Sequence, residues 1–180
     1  MKLTALATLT LVGALALSGC ATSVPETDTT PAATTTAAPA DGSCTGVSVV
    51  VDFGALDAPE ITDCVDTGTA DDAETIAAGT VMETAGVATE GTVEWGDQVV
   101  CRVNGRPAAD ESIEVAGETP FTESCESMPA AAAYWALWVK PTADADWEYA
   151  QEGLGSLELA PGQSVGLVFT TGTETPTPGS

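Results

Sequence analysis

Four cysteines in a chain without histidine constrain this sequence more than any other feature. Cys44, Cys64, Cys101 and Cys125 are spread through the middle of 180 residues, with Cys20 near the start and no histidine anywhere. Structural zinc sites need closely spaced Cys and His ligands, and here no Cys-x-x-Cys pair exists. An even set of cysteines in an exported protein reads instead as disulfides. Three pairings are open. Cys44–Cys64 with Cys101–Cys125 is favoured because each bridge closes a loop of about 20–25 residues, contributing about 3 kcal/mol in the chain-entropy account.

Export is what the N-terminus predicts. Met1-Lys2 supplies one positive charge, an apolar run follows from Leu3 to Leu17, and Leu17-Ser18-Gly19-Cys20 closes it. A charged start, a short apolar run and small residues before a cut form a secretory signal. The run is too short for a bilayer core, which needs about 20 apolar residues. Leu-Ser-Gly-Cys resembles the bacterial lipobox, which implies a signal peptide over 1–19 and acylation of Cys20. The expected location is the outer face of the bacterial cell membrane, with the acyl chains as anchor.

Residues 21–42 read ATSVPETDTTPAATTTAAPADG, in which 16 positions are Ala, Thr or Pro. Such a segment cannot bury enough apolar surface to offset its ordering entropy, so 20–42 is expected to be a lipidated, disordered stalk. Residues 170–180 share that composition and are expected to be a disordered tail. One folded domain is left, over 43–169.

Composition removes several function classes. Lys and Arg number 4 against 27 Asp and Glu, a formal net charge of −23. Nucleic acids and anionic headgroups are bound through Lys and Arg, so nucleic acid is not an expected partner. Without histidine there is no Ser-His-Asp or Cys-His arrangement. No P-loop occurs, and Gly153-Leu154-Gly155 lacks the last glycine of a dinucleotide fingerprint. Carboxylate-pair chemistry stays formally open, yet with so many acids no pair stands out. Asp63/Asp66/Asp71/Asp72 and Asp144/Asp146 do not match a calcium loop and read as solvated charge. The expectation is a protein that is not an enzyme and holds no cofactor or metal.

Within the domain, Gly46–Phe53 is β-branched and reads as a first, central strand. Thr69–Ala85 reads as the one helix. Asp71 and Glu74 form a capping-box-like start, Ile76, Met82 and Ala85 an apolar face, and Gly86 the stop. Gly79 costs that helix about 1 kcal/mol. Val99–Val103 is a strand, and Asn104-Gly105 is a strong hairpin signal. Ala133–Lys140, Trp147–Ala150 and Ser164–Phe169 are the remaining strands. One helix with a mostly antiparallel sheet is α+β.

Several of these segments resemble the transcobalamin C-terminal-like domain. They are Val103-Asn104-Gly105-Arg106-Pro107, Trp147-Glu148-Tyr149, Gly153–Leu159 and Pro161-Gly162-Gln163-Ser164-Val165. Ala133–Trp138 is similar to a Tyr-Trp-x-x-Trp element of exported actinobacterial members. The sequence departs from the family at Gln163-Ser164, where an acid is frequent, and at Gly166-Leu167, where an aromatic is common. The resemblance covers nearly all of 43–169 and implies a small, β-grasp-like sheet with a helix across it. In the vitamin carriers such a domain forms one side of a cobalamin site with a helical domain that has no counterpart here. Cobalamin binding does not follow from the fold.

The aromatic residues are the remaining lead. On a strand, Tyr134 and Trp138 share one face and Trp135 takes the other, while Trp147 and Tyr149 share a face of the next strand. A strand with rings on both faces either lies between two layers or offers rings to a partner. Tyr134, Trp138, Trp147 and Tyr149 are therefore the candidate ligand-binding residues. The expected function is a cell-surface, non-catalytic binding module, for a small molecule feeding an uptake system. The alternative is a structural or protein-interaction lipoprotein of the envelope.

Overall fold

The computed structural model describes residues 44–67, 74–172 and 177–179. The leader, Cys20, the stalk, Asp71 and Asp72 lie outside the described residues.

The valine-rich first segment forms β1 (Val47–Asp52), followed by a 3₁₀ turn and by β2 (Ile61–Val65). Ala133–Lys140 is β6, Glu148–Tyr149 is β7 and Ser164–Thr171 is β9. These five strands make one sheet in the order β2-β1-β9-β6-β7. β1 is an interior strand, as expected, antiparallel to β2 and parallel to β9. β6 runs antiparallel to β9 along its whole length, from Ala133 opposite Thr171 to Lys140 opposite Ser164. The parallel pair β1–β9 is the exception in an otherwise antiparallel fold. It is possible because most of the domain lies between the two strands and serves as their crossover.

Period-two alternation assigns the faces. Val47, Val49 and Val51 of β1, Trp135 of β6, and Val165, Leu167 and Phe169 of β9 enter the main core. Ala136, Trp138 and Val168, with Tyr134 and Trp147 packed on them, form a second cluster on the opposite face. Phe53 and Phe169 meet the Trp135 ring edge-on, at centroid distances of 5.3 and 5.4 Å. The last strand runs past its expected end at Phe169, and Thr170 is buried. The boundary between domain and tail therefore shifts C-terminally. Pro178 is also buried, and it lies where a β-carbon on Gly166 would project.

The helix is much shorter than its sequence predicts. Ile76–Ala77 is a strand, β3, paired with β8 (Glu158–Leu159), and α1 spans only Ala78–Thr84. Glu74 therefore precedes a strand and is no capping-box residue. The N-cap is Ala77, which has no capping side chain; the Ala78 N–H donates instead to the Leu157 carbonyl at 2.8 Å. Ile76 gains the fully buried Leu159 as its cross-strand partner, and this tertiary pairing outweighs helix propensity. The stop at Gly86 is as read. Gly86 has φ +72°, its N–H donates to Glu83, and the Val87 N–H reaches back to Met82. That is a Schellman motif, with Val87 and Met82 as its apolar contact.

β4 (Thr89–Thr92) and β5 (Gly96–Val103) form a separate ribbon. Asn104 and Gly105, with φ of 49° and 71°, make the two-residue turn expected of Asn-Gly. The return strand is a single bridge from Val103 to Arg106, because Pro107 has no N–H with which to continue a ladder.

Both disulfides have the neighbour pairing: Cys44–Cys64 and Cys101–Cys125, each with a Cα–Cα distance of 5.6 Å. Arg102, beside the second bridge, is buried. Its Nη1 meets Glu90 at 2.9 Å, its Nε donates to the Pro107 carbonyl at 2.8 Å, and its Nη2 donates to the Glu123 carbonyl at 2.7 Å. One guanidinium thus ties β4, the turn after β5 and the segment before Cys125. Replacing Arg102 by Met would leave two carbonyls without their donor. The expected loss is about 3 kcal/mol of unfolding free energy, read from urea melts, and Arg102→Lys should recover only part of it.

Candidate functional site

β7 pairs with β6 at only two positions, Trp138 opposite Tyr149 and Val139 opposite Glu148. The Ala150 N–H adds one bond to the Leu137 carbonyl at 3.0 Å. Beyond Ala150 the chain leaves β6. It passes to Gly153, where a β-carbon would lie 2.3 Å from the Gln98 carbonyl oxygen. Glycine at this position allows the loop backbone to press on β5. This contact explains the glycine-rich turn that the sequence shows without a nucleotide fingerprint.

A groove of about 530 Å³ lies between β5 and the β6 edge that β7 leaves uncovered. β5 contributes Gln98, Val99 and Val100, and β6 contributes Tyr134 through Leu137. Tyr149 through Leu154 and the loop residues Met128, Pro129 and Ala131 complete the lining. The volume is within the range of ligand clefts. Met128 is 61 % exposed and Tyr149 38 %, so apolar and aromatic surface meets solvent at the mouth.

Of the four candidate aromatic residues, Tyr134 and Tyr149 line this groove, and Trp138 and Trp147 do not. Trp138 is 6 % exposed and stacks against the Tyr149 ring at 3.9 Å and 23°. Its Nε1–H is buried without a hydrogen-bond partner among the described residues. Trp147 is half-buried and carries the Lys140 ammonium 5.2 Å from its ring centroid. Trp135 belongs to the main core, and its Nε1–H donates to the Arg106 carbonyl at 3.1 Å. Gln98, Met128, Gln151, Glu152 and Leu154 escaped the sequence reading. They come from stretches far apart in the chain, and only the glycine turn at 153–155 hinted at a close approach.

The groove carries acid and no base. Glu152 lies in its lining. Arg102 is paired with Glu90, and Arg106 is held by Glu111 through Nε at 2.8 Å and Nη2 at 2.5 Å. That two-point contact holds the Glu111 carboxyl below the usual range and raises Arg106. The Arg106 Nη2 also donates to the Leu56 carbonyl. Among the described residues, Cys101, Glu123 and Cys125 bring potential metal ligands together. Both sulfurs are joined in the disulfide, and Glu123 Oε1 accepts the Cys125 N–H at 2.7 Å, so the cluster has no thiolate to offer. Asp144 and Asp146 are exposed, and Asp63 accepts the Cys64 N–H at 2.8 Å.

The two tyrosine hydroxyls lie 3.4 Å apart. The hydrogen bond to Tyr149, reinforced by burial, pushes the Tyr134 phenol up to about 12. A raised value favours the neutral form. The stability this pair adds is complete below the ordinary phenol value of about 10 and is lost as pH rises through about 12. Tyr149→Phe should return Tyr134 toward ordinary ionisation, read as tyrosinate absorbance during an alkaline titration.

No protein-family model, curated protein or solved structure matches this chain.

Proposed function

We propose that this chain is a lipoprotein of the outer face of the bacterial cell membrane, and that its folded part is a non-catalytic binding module. The groove between β5 and β6, with Tyr134 and Tyr149 on its wall, carries this reading. In it, a leader over 1–19 is removed, Cys20 bears the acyl chains, and the Thr/Pro/Ala-rich stalk holds the domain away from the membrane. The domain is read as transcobalamin C-terminal-like and β-grasp-like on the residues that resemble that family, within a disulfide-bridged α+β architecture. The histidine-free composition and the engagement of both arginines in structural contacts support a non-catalytic role.

A small ligand feeding an uptake system is one form of this reading. Protein capture is the other, favoured by a specific observation: Val93 is 77 % exposed and Trp95 49 % at the β4–β5 tip. That tip is bonded through Val93 and Glu94 to the carbonyls of Cys125 and Glu126, just before Met128. Exposed apolar side chains near a groove mark an interaction surface.

Two experiments test the proposal. Cys20→Ser should abolish radiolabelled palmitate incorporation and release the protein from membranes; retained label would remove the anchor. Trp135 and Trp138 lie in or beside the groove wall, so an occupant should shift tryptophan emission, and Tyr149→Ala should weaken that shift at least about tenfold. Unchanged emission at saturating corrinoids, glycans and cell-wall fragments would eliminate the small-ligand form.

A further inference from the structure

We infer that the groove takes an extended, basic peptide segment of another protein, which adds as a strand to the uncovered half of β6. This rests on reading the groove as a binding site and names its ligand class.

The parity of the β6 ladder decides which main-chain groups turn away from β9. The Gly172 N–H donates to the Ala132 carbonyl, in register with the β6–β9 pairing. The hydrogen-bonded pairs of an antiparallel ladder alternate, so Tyr134, Ala136, Trp138 and Lys140 turn their main-chain groups toward β9. The odd residues turn theirs the other way, as the bond from Ala150 N–H to the Leu137 carbonyl confirms. The Ala133 N–H is taken by the Ala130 carbonyl at 3.0 Å. Both main-chain groups of Trp135 and the Leu137 N–H then face the groove, with the Ala133 carbonyl on the same edge just outside its lining, and none of them has a protein partner among the described residues. Over 133–137 they form an edge about 13 Å long, at about 3.3 Å per residue.

Such an edge matches a peptide backbone, since an unpaired strand is a template for another. β7 is the first piece of that neighbouring strand, and it departs after Ala150. An incoming segment continues along the line β7 abandons. Its alternate side chains meet Tyr134 and Tyr149 on one face of the sheet, and Leu154 and Val100 on the other.

Charge selects the partner. The chain carries −23, Glu152 is at the groove, and the two described arginines are paired with Glu90 and Glu111. A second copy brings the same excess of negative charge and is repelled, whereas a lysine- or arginine-bearing segment is attracted.

The test uses the folded protein and two pools of random octapeptides, one lysine-rich and one glutamate-rich. Members of the lysine-rich pool should bind, more weakly as salt rises, and slow amide exchange of Trp135 and Leu137 at least about tenfold. N-methylation of the peptide at alternate positions should abolish binding in one phase and spare it in the other. Peptides that perturb Tyr134 and Tyr149 without protecting those amides would overturn strand addition and leave the groove as a binding site. Protection that appears without peptide as protein concentration rises would assign the edge to a second copy and overturn the proposal. Equal binding by the glutamate-rich pool, or binding by neither pool, would also overturn it.

Discussion

Burial of β9 on both faces is the constraint on which the rest of this protein depends. Seven of its eight residues, from Ser164 to Thr170, are buried. One face, through Val165, Leu167 and Phe169, packs into the main core. The other holds Val168 and, at Gly166, a bare stretch of backbone covered by Pro178 and Trp147. A strand buried on both faces needs cover on both. The helix and the β4–β5 ribbon lie with the main core, and the aromatic residues of β6 and β7 supply the opposite cover.

That division explains why the aromatic residues separate as they do. Trp135 is placed by the pleat between Phe53 and Phe169 and becomes core. Trp138, two pleats on from Tyr134, is buried by stacking on Tyr149 rather than by a second layer of regular structure. A stacked pair of this kind contributes about 1 kcal/mol beyond its buried area. It holds β7 against β6 although the two strands share only two paired positions. The groove results from that economy: one aromatic stack suffices to dock β7, and the first half of β6 keeps an open edge.

The scarcity of basic residues has a structural counterpart. With so few cations, each of the three among the described residues has a structural contact. Arg102 satisfies carbonyls from two loops beside a disulfide, Arg106 clasps Glu111 at two points, and Lys140 lies over Trp147. The cations are used inside the domain, so the field the domain presents outward is almost purely negative. Partner selection by charge follows from the same shortage that makes Arg102 structurally important.

Local chemistry made much of this legible. The β-branched run at Val47–Val51, the Asn104-Gly105 turn, the Gly86 stop and the span of β6 could be read because each is specified by neighbours in sequence. The neighbour pairing of the disulfides could be favoured because short loops cost least to close. The helix start could not be read, since Ile76 is committed to Leu159, some eighty residues away, and a helix period cannot report such a partner. The groove was illegible for the same reason. Tyr134 and Tyr149 were visible as aromatic positions, but Gln98, Met128 and Leu154 join them only once Gly153 brings its loop against β5. By itself, then, the sequence determined the class of fold, most strands and the sign of the charge, and favoured one pairing of the cross-links, all of which follow from residue type and short-range spacing. Only the tertiary structure decided which rings are core, where β7 stops and which edge is left open, because those outcomes depend on contacts between segments far apart in the chain.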